Sequence, residues 1–350
     1  MMTTTDKRAA ALPGLDLPSF RTWFEQACPG QVSGPLTGSL IAGGRSNLTY
    51  EITDGSRHWI IRRPPLGHVL ETAHDMSREY RVMHALRSTA VPVPVTYANC
   101  VNPDVIGAPF YVMQRVPGIP YRDASELMAL GAARTAQIGR EMVDILARLH
   151  AIDAYEVGLG DLGRPGGFLE RQVRLWTRQL EASRSRDLPE AARLSDLLAR
   201  RIPAQATTAI IHGDFRLDNL LVDHDSVQAV IDWEMATLGD PLTDVALLVA
   251  YGELAELAPE AALVDVNLAP GYPGGDQIIA MYAAASGRDV HDMDFYLGLA
   301  YFKLAAILEG IHYRYVQGQT VGDGFDVVGT AVTPLLNAGI RALSQENKEQ

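Results

Sequence analysis

Two carboxylates and one amide near the middle of the chain have the types and the spacing that phosphoryl transfer requires. Asp214 follows a short apolar run, Asn219 follows Asp214 by five positions, and Asp232 ends a second apolar run. In such a set, one carboxylate orients a substrate hydroxyl, while an amide oxygen and the other carboxylate hold magnesium on the phosphates of a nucleotide. The spacing therefore predicts Asp214 as the catalytic residue and Asn219 and Asp232 as magnesium ligands.

Asp214 is expected to accept a hydrogen bond from the attacking hydroxyl, and His212 to brace the loop rather than to take part in the chemistry. A loose transition state depends on positioning more than on full deprotonation of that hydroxyl. The alternative is a polar turn between two strands, with Asp214 as its cap. The second acid, Asp232, favours the catalytic interpretation.

The first third of the chain contains mostly strand patterns. Residues 48–52 and 59–62 flank the turn residues 54–56, which predicts a β-hairpin. Residues 74–88 have apolar side chains near helical spacing and therefore predict a helix. A shorter helix is predicted at 19–28 and a further strand at 110–113.

Pro117 and Gly118 interrupt the pattern, and the chain beyond them is mainly helical. Helices are predicted at 134–150, 168–183, 189–201, 241–251, 277–286, 293–316 and 326–343. The predicted domains are an arm at 1–35, a nucleotide-binding N-lobe at 36–116, and a C-lobe at 117–350 with the catalytic loop and the acceptor site. The predicted fold class is α+β, a bilobal protein-kinase-like fold with a small antiparallel-sheet N-lobe and a larger, mostly helical C-lobe.

The central motif resembles that of the aminoglycoside phosphotransferase and choline kinase superfamily. Residues 212–219 have the H-x-D-x-x-x-x-N spacing of kinase catalytic loops, but Glu234 stands where protein kinases have the glycine of Asp-Phe-Gly. Residues 62–67, 73–74 and 77–83 look like the kinase-like domains associated with acyl-CoA dehydrogenases. The resemblance covers nearly the whole chain.

This resemblance implies a cytoplasmic small-molecule O-phosphotransferase that uses ATP and Mg²⁺, with GTP open as the donor. It raises hydroxyacyl thioesters as acceptors and makes true aminoglycosides less expected. Met113 and Arg115 would form the hinge that meets the nucleotide base, although a plain strand end fits them equally well. By the same resemblance, Asp244 would brace the catalytic loop from below.

A glycine-rich segment at 43–47 resembles the loop that covers the nucleotide in this superfamily. Glycines let a backbone approach phosphate oxygens, and their amides bind anions. A hairpin turn is the alternative, because the segment lacks the full G-x-G-x-x-G of protein kinases. The residues assigned to nucleotide binding here are Gly43, Gly44, Ser46 and Asn47, with Ser46 expected to touch a phosphate.

Arg62 stands at a position that resembles the one where kinases have their phosphate-binding lysine. Arg63 is the alternative residue for this position. Strand alternation places Ile60 and Arg62 on one face, and Trp59, Ile61 and Arg63 on the other. A guanidinium can also grip phosphate, but its geometry differs from that of an ammonium. Glu79 is the predicted ion-pair partner of Arg62, with an exposed surface glutamate as the alternative.

Glu234, Asp240 and Thr243, which follow Asp232, each have more than one possible role. Glu234 could support a second metal or a water, or it could face solvent. Asp240 or Thr243 could cap the next helix, since both side chains satisfy free backbone amides at helix starts.

Composition excludes several classes of protein. The chain has 350 residues, 47% apolar and 21% charged, which is ordinary for a soluble globular protein. A net charge of −12 disfavours binding to nucleic acid or to an anionic membrane. Two cysteines, Cys28 and Cys100, predict neither a disulfide framework nor a metal site. No signal peptide and no membrane span are expected, and a cytoplasmic location is predicted.

Residues 158–163 match G-x-G-x-x-G, but no strand precedes them in a βαβ unit. They predict a loop near the acceptor site, not a dinucleotide site. The acceptor pocket could include aromatic side chains of the C-lobe, although core packing is the more common use of such residues. The candidates are Trp176, Tyr272, Tyr296, Tyr301, Tyr313 and Tyr315, with Asp294 and Glu309 as acids of the same region.

Three functions fit these residues. The first is direct transfer of the γ-phosphate to a hydroxyl of a small molecule, with a hydroxyacyl thioester as the possible acceptor and an aminoglycoside or an amino alcohol as the alternative. The second is a pseudokinase that binds nucleotide without turnover, as the arginine at position 62 and the incomplete glycine loop suggest. The third is a metal-dependent phosphohydrolase built on the acid cluster. The sequence leaves the acceptor, the number of metals and the oligomeric state open.

Overall fold

The structure is a computed structural model of the chain, and its contacts divide the chain into two compact units. The described residues are 12–41, 47–66, 75–204, 207–262, 264–320 and 324–344. The first unit contains Met1–Ser88, Val93–Pro117 and Asp232–Glu234, and the second contains Thr89–Pro92, Gly118–Ile231 and Met235–Gln350. The predicted boundaries at residues 35 and 116 stay predictions.

The first unit is built on an antiparallel sheet of five strands in the order β1-β2-β3-β5-β4. The strands are β1 (Thr37–Leu40), β2 (Leu48–Thr53), β3 (His58–Arg63), β4 (Thr96–Cys100) and β5 (Phe110–Gln114). The predicted hairpin is confirmed, with Leu48 opposite Arg63 in β2 and β3. Asp54 stabilises its turn, because its carboxylate accepts hydrogen bonds from the backbone of Ser56 and Arg57 at 2.9 and 2.8 Å.

Two helices accompany this sheet, α1 (Leu17–Ala27) and α2 (Met76–Leu86). Helix α1 starts earlier than predicted, because Asp16 caps it by accepting a hydrogen bond from the Ser19 amide at 2.9 Å. Its Phe20 and Phe24 are fully buried in the apolar core of this unit. Trp59 and Ile61 of β3 belong to the same core, so alternation directs Arg62 to the opposite face.

The second unit is mainly helical. Its helices are α3 (Ala124–Leu130), α4 (Ala132–His150), α5 (Phe168–Ser183), α6 (Pro189–Arg200), α7 (Leu242–Leu257), α8 (Gly275–Ser286), α9 (Met293–Val316) and α10 (Val332–Ala342). Two small antiparallel sheets carry the central motif. They pair β6 (Ala209–Ile211) with β9 (Thr237–Gly239), and β7 (Leu220–Asp223) with β8 (Ser226–Val230).

Helices α5 and α9 have the predicted bounds, but the last predicted helix is wrong in its first turn. Residues 328–331 form a 3₁₀ turn, and α10 begins only at Val332. Pro334 explains this start, because it has no amide hydrogen and is tolerated only in the first turn of an α-helix. Within the described residues, no helix is both long enough and apolar enough to cross a membrane.

Candidate functional site

Asp214 and Asn219 are joined by their side chains in the second unit. The Asn219 Nδ2 donates to the Asp214 carbonyl oxygen at 2.8 Å and to its Oδ2 at 3.1 Å. A short 3₁₀ turn over residues 217–219 brings the two residues together. Both donors of the amide group therefore point at Asp214, which leaves the Asn219 Oδ1 as an acceptor.

The loop backbone before Asp214 requires glycine at position 213. Gly213 has a φ of 84°, in the left-handed region that favours glycine. A Cβ at this position would lie only 2.7 Å from the Met235 carbonyl oxygen. The Gly213 carbonyl in turn accepts a hydrogen bond from the Lys303 Nζ at 2.9 Å.

Asp244 holds the same loop from the start of α7, as expected from the resemblance. Its two carboxylate oxygens accept from the backbone amides of His212 and Gly213, at 2.7 and 2.8 Å. His150 contacts the Asp244 Oδ2 at 3.3 Å. Burial raises the pKa of Asp244, whereas the hydrogen bonds from His150 and from the His212 amide lower it. The lowering effects are the larger, so the pKa lies below its ordinary value. Asp244 therefore acts as an ionised brace.

His212 is a brace as well, because the backbone occupies both of its ring nitrogens. Its Nε2 lies 3.0 Å from the Ile231 carbonyl oxygen, which can only accept a hydrogen bond. Its Nδ1 lies 3.3 Å from the Asp214 amide, which can only donate one. These partners assign the neutral tautomer with the proton on Nε2.

Two residues that the sequence interpretation passed over, Arg216 and Tyr251, lie beside Asp214. The Arg216 Nε is 3.4 Å from the Asp214 Oδ2 and 3.1 Å from the Asp218 Oδ1, and its guanidinium lies 4.8 Å above the Tyr251 ring. Burial lowers the pKa of Arg216, but the charges of Asp214 and Asp218 raise it above its ordinary value. The loop at residues 212–219 therefore contains a permanently charged cation next to Asp214.

In the first unit, Arg62 joins Glu79 to Asp232. Its NH1 lies 2.8 Å from the Glu79 Oε1, and its NH2 lies 2.5 Å from the Asp232 Oδ1. The ion pair predicted between Arg62 and Glu79 is therefore present. Arg63 points into the other face of the sheet, where it donates to the backbone oxygens of Gly14 and Ile106.

Glu79 is wholly buried at this junction. Burial raises its pKa from 4.5 to about 7, although the positive charge of Arg62 acts in the opposite direction. The surface alternative for Glu79 is therefore wrong.

This raised pKa predicts a pH dependence of stability. Between about pH 4.5 and about pH 7 the folded state binds more protons at Glu79 than the unfolded state does. The contribution of Glu79 to the free energy of unfolding should therefore fall as the pH rises through this window. Urea denaturation of the wild type and of Glu79→Gln at several pH values measures it. Parallel pH profiles for the two proteins would contradict the prediction.

Glu234 does not simply face solvent, because its Oε2 accepts from the Asn47 Nδ2 at 2.9 Å and lies 3.9 Å from the Arg62 NH2. Asn47 itself is buried. Asp232 has a φ of 68°, a conformation that aspartate tolerates better than most residues. The segment 232–234 thus directs two carboxylates at Arg62.

The structure describes only some of the other residues that were predicted to contact the nucleotide. Gly43, Gly44 and Ser46 lie outside the described residues. Met113 is buried in β5, and the exposed Arg115 has its Nε 3.5 Å from the Glu51 Oε1. Their role as a hinge stays a prediction.

Among the acceptor candidates, two aromatic residues line a cavity, and Tyr315 is exposed. Trp176 and Tyr296 line a cavity of about 200 Å³ inside the second unit. Glu309 is fully buried, where it accepts from the Ser185 amide at 3.0 Å and from the Arg186 NH2 at 3.0 Å. These bonds identify Glu309 as a structural clamp between α9 and the α5–α6 loop.

Magnesium suits the donors that the sequence predicted. The Asn219 Oδ1 and the Asp232 carboxylate are hard oxygen ligands, and magnesium commonly takes one or two protein oxygens together with substrate phosphates. The orientation of the Asn219 amide, fixed by its two bonds to Asp214, presents the required oxygen. In the part of the chain that the structure describes, no group of three or more His, Cys, Asp or Glu could hold a metal.

Comparisons with known proteins agree with this chemistry. A family model described as "Phosphotransferase enzyme family" matches residues 37–278. The chain is 36% identical over 297 residues to acyl-CoA dehydrogenase family member 10 of Mus musculus and 32% identical over 311 residues to family member 11 of Homo sapiens. These matches cover 82% and 87% of the chain but only 27% and 40% of the two relatives. The chain thus spans less than half the length of these relatives.

Solved structures match over nearly the whole chain. A candidate aminoglycoside phosphotransferase from Ralstonia eutropha has a TM-score of 0.83 at 33% identity, over 94% of this chain and 98% of that one. Choline kinase from Cryptosporidium parvum has a TM-score of 0.66 at 13% identity, over 95% and 97% of the two chains. A thermostable mutant of APH(4)-Ia, in a ternary complex with AMP-PNP and hygromycin B, has a TM-score of 0.61 at 16% identity, over 92% and 98%. The last two matches concern the fold alone, and together the three confirm the predicted kinase-like fold.

Proposed function

The chain belongs to the phosphotransferase enzyme family, and from this premise we propose that it transfers the γ-phosphate of ATP to a hydroxyl of a small molecule. The observation that carries the proposal is the bonding between Asp214 and Asn219, in which the amide group donates to the Asp214 backbone carbonyl and to its carboxylate and leaves one amide oxygen for a metal. Direct transfer to the acceptor requires no covalent enzyme intermediate.

Each residue then has one role in the reaction. Asp214 orients the acceptor hydroxyl and accepts its hydrogen bond as the phosphoryl group approaches. Asn219 and Asp232 supply oxygen ligands to magnesium, which neutralises phosphate charge when it is bound. Asp244 and His212 hold the loop backbone, and this pre-organisation keeps the hydroxyl in line with the phosphate.

On the nucleotide side, we assign Arg62 to the phosphates, with Glu79 as its positioning partner. The buried Arg62–Glu79 pair supports this assignment, because it orients a guanidinium that can bind phosphate oxygens bidentately. The glycine-rich segment 43–47 is assigned to the same phosphates and Met113 with Arg115 to the base. The AMP-PNP bound to APH(4)-Ia, a protein of the same fold, supports a nucleotide as the donor.

We propose a hydroxyacyl thioester as the acceptor. Support comes from the relatives, whose names place similar sequences within acyl-CoA dehydrogenase family members 10 and 11. A phosphotransferase segment in the same polypeptide as an acyl-CoA dehydrogenase would act on a related compound. An acyl thioester that carries a hydroxyl is such a compound.

A nucleotide-binding pseudokinase is the second candidate, and one contact favours it. Arg62 bonds the carboxylate of Asp232, the residue assigned to magnesium, so the metal must displace or share this arginine. Binding of Mg²⁺-ATP without turnover on any acceptor would support this candidate.

The test is a screen of ADP formation with Mg²⁺-ATP against hydroxyacyl thioesters, amino sugars and amino alcohols. We expect turnover with at least one hydroxyacyl thioester and none without an acceptor hydroxyl. Mass spectrometry should find one added phosphate on the acceptor. If phosphoesters release phosphate in the absence of nucleotide while no acceptor is phosphorylated, the proposal is wrong and the enzyme is a phosphohydrolase.

A further inference from the structure

A cavity of about 200 Å³ in the second unit reaches the backbone of the catalytic loop at Gly213. Its walls come from α5, α7 and α9 and from the segment that follows Glu234. Most of the wall is apolar, and its larger members are Phe168, Trp176, Met235, Leu247 and Leu299. The cavity is smaller than the ~300–1,000 Å³ typical of pockets that enclose a whole small ligand, so it fits a short apolar segment of one.

Lys303 brings a cation into this apolar cavity. Its Nζ donates to the Gly213 carbonyl oxygen at 2.9 Å and lies 5.5 Å from the centre of the Trp176 ring. An ammonium has three donors, and among the described residues the hydrogen bond to Gly213 accounts for one. Burial lowers the pKa of Lys303, although the charges of Asp214 and Asp244 partly counter the effect. A ligand oxygen atom in the cavity would accept a hydrogen bond from an N–H group of Lys303 that burial has removed from contact with water.

The carboxylate on the cavity wall already uses its oxygens in hydrogen bonds within the protein. Asp244 is the acid that lines the cavity, and it is 1% exposed. Its oxygens already accept from the amides of His212 and Gly213 and contact His150. A cationic acceptor would therefore find no open carboxylate there, whereas a carbonyl or carboxylate oxygen would find Lys303.

The position of Lys303 also limits where the acceptor hydroxyl can be. Gly213, which Lys303 contacts, directly precedes Asp214 in the chain. An acceptor oxygen bound by the ammonium therefore lies next to the loop that orients the hydroxyl. An acceptor whose carbonyl and hydroxyl are only a few bonds apart fits this arrangement.

We propose that Lys303 is a specificity-determining residue that recognises the carbonyl or carboxylate oxygen of a hydroxyacyl acceptor, while the cavity holds a short apolar part of the same molecule. This inference rests on the proposed phosphotransfer to a hydroxyacyl compound and assigns its recognition to one side chain. A lone charge within the apolar run Tyr296–Leu308 was the sequence signal for it.

The test compares two acceptors with the same secondary hydroxyl, the N-acetylcysteamine thioester of 4-hydroxypentanoic acid and pentan-2-ol, which has no oxygen at the carbonyl position. In Lys303→Met, kcat/KM for the thioester should fall about 10-fold to 100-fold relative to kcat/KM for pentan-2-ol, because a hydrogen bond to a charged group is lost. Lys303→Arg should retain most of the preference. Arg314→Met, which removes an exposed cation from the last turn of the same helix, should leave the preference unchanged.

A loss of activity that is equal for both acceptors would overturn the inference, since it would mean that Lys303 only supports the loop. If Lys303→Met does not fold, Lys303→Gln removes the charge while it keeps a donor for the Gly213 carbonyl. Calorimetric titration of the thioester without nucleotide separates this inference from the proposed function. Binding that weakens in the variant supports Lys303 even if the wild type transfers no phosphate, and absence of binding to the wild type overturns it.

Discussion

Replacing Asp214 with asparagine is expected to lower kcat for phosphotransfer by about 100-fold to 10,000-fold, the usual contribution of a positioned general base. The amide keeps the shape of the side chain but cannot accept the hydroxyl proton, and its hydrogen bond to the hydroxyl is weaker. Folding should be retained, because the Asn219 Nδ2 still donates to the backbone oxygen of residue 214 at 2.8 Å in the wild-type geometry. Steady-state kinetics and the thermal unfolding midpoint measure the two effects.

Asp289→Asn is the matched control for this substitution. Its side chain is 76% exposed in the same unit, and it has no contact with the catalytic loop among the described interactions. The control should keep wild-type kcat and wild-type stability. Full turnover in a folded Asp214→Asn protein would show that the role given to Asp214 is wrong.

Replacing Arg62 with methionine is expected to lower the free energy of unfolding by about 3–5 kcal/mol, the typical cost of removing one partner from a buried ion pair. Arg62 is 7% exposed, and Glu79 is wholly buried. Without the guanidinium, Glu79 must stay as an uncompensated charge or take up a proton, so its pKa should rise further. The loss of stability should therefore be larger at pH 8 than at pH 5, which urea denaturation at the two pH values can measure.

Arg62→Lys and Glu79→Gln complete this experiment. The lysine restores the charge that kinases usually carry at this position, so it should recover part of the stability, although it cannot bridge Glu79 and Asp232 in the same way. In the double variant Arg62→Met with Glu79→Gln, the combined loss should be smaller than the sum of the single losses. Strictly additive losses would contradict a direct coupling between the two residues.

The KM of Arg62→Lys for ATP separately tests the proposed role of Arg62 in binding the phosphates.

The fold was predictable from sequence wherever the local pattern was strong. The hairpin of β2 and β3 follows from alternation on both sides of a turn whose Asp54 satisfies its own backbone. Helix α5 follows from its amphipathic pattern, and α9 follows from an apolar run, Tyr296–Leu308, in which Lys303 is the single charge. The last helix was less predictable, because the influence of Pro334 on its first turn is a backbone effect that apolar periodicity does not contain.

The candidate site also contains residues that the sequence predicted and contacts that only the structure revealed. Residue types at short intervals in the chain led to the assignment of Asp214, Asn219 and Asp232, because magnesium and phosphate chemistry depends on a few residue types. This assignment stays a prediction. The bonding of Arg62 to Glu79 was predictable only through a family resemblance. The surroundings of Asp214 were not predictable, since Tyr251 comes from a helix well removed in sequence.

By itself, the sequence indicated a phosphotransferase family, the order of the acidic residues and most helices and strands, since these depend on local composition and spacing. Tertiary structure alone decided which charges are buried and what they bind. Burial of Glu79 beside Arg62 sets its raised pKa, and the path of α9 past the catalytic loop brings Lys303 to Gly213. The physical reason is that desolvation and long-range contacts depend on how distant elements pack, and no short stretch of sequence contains that information.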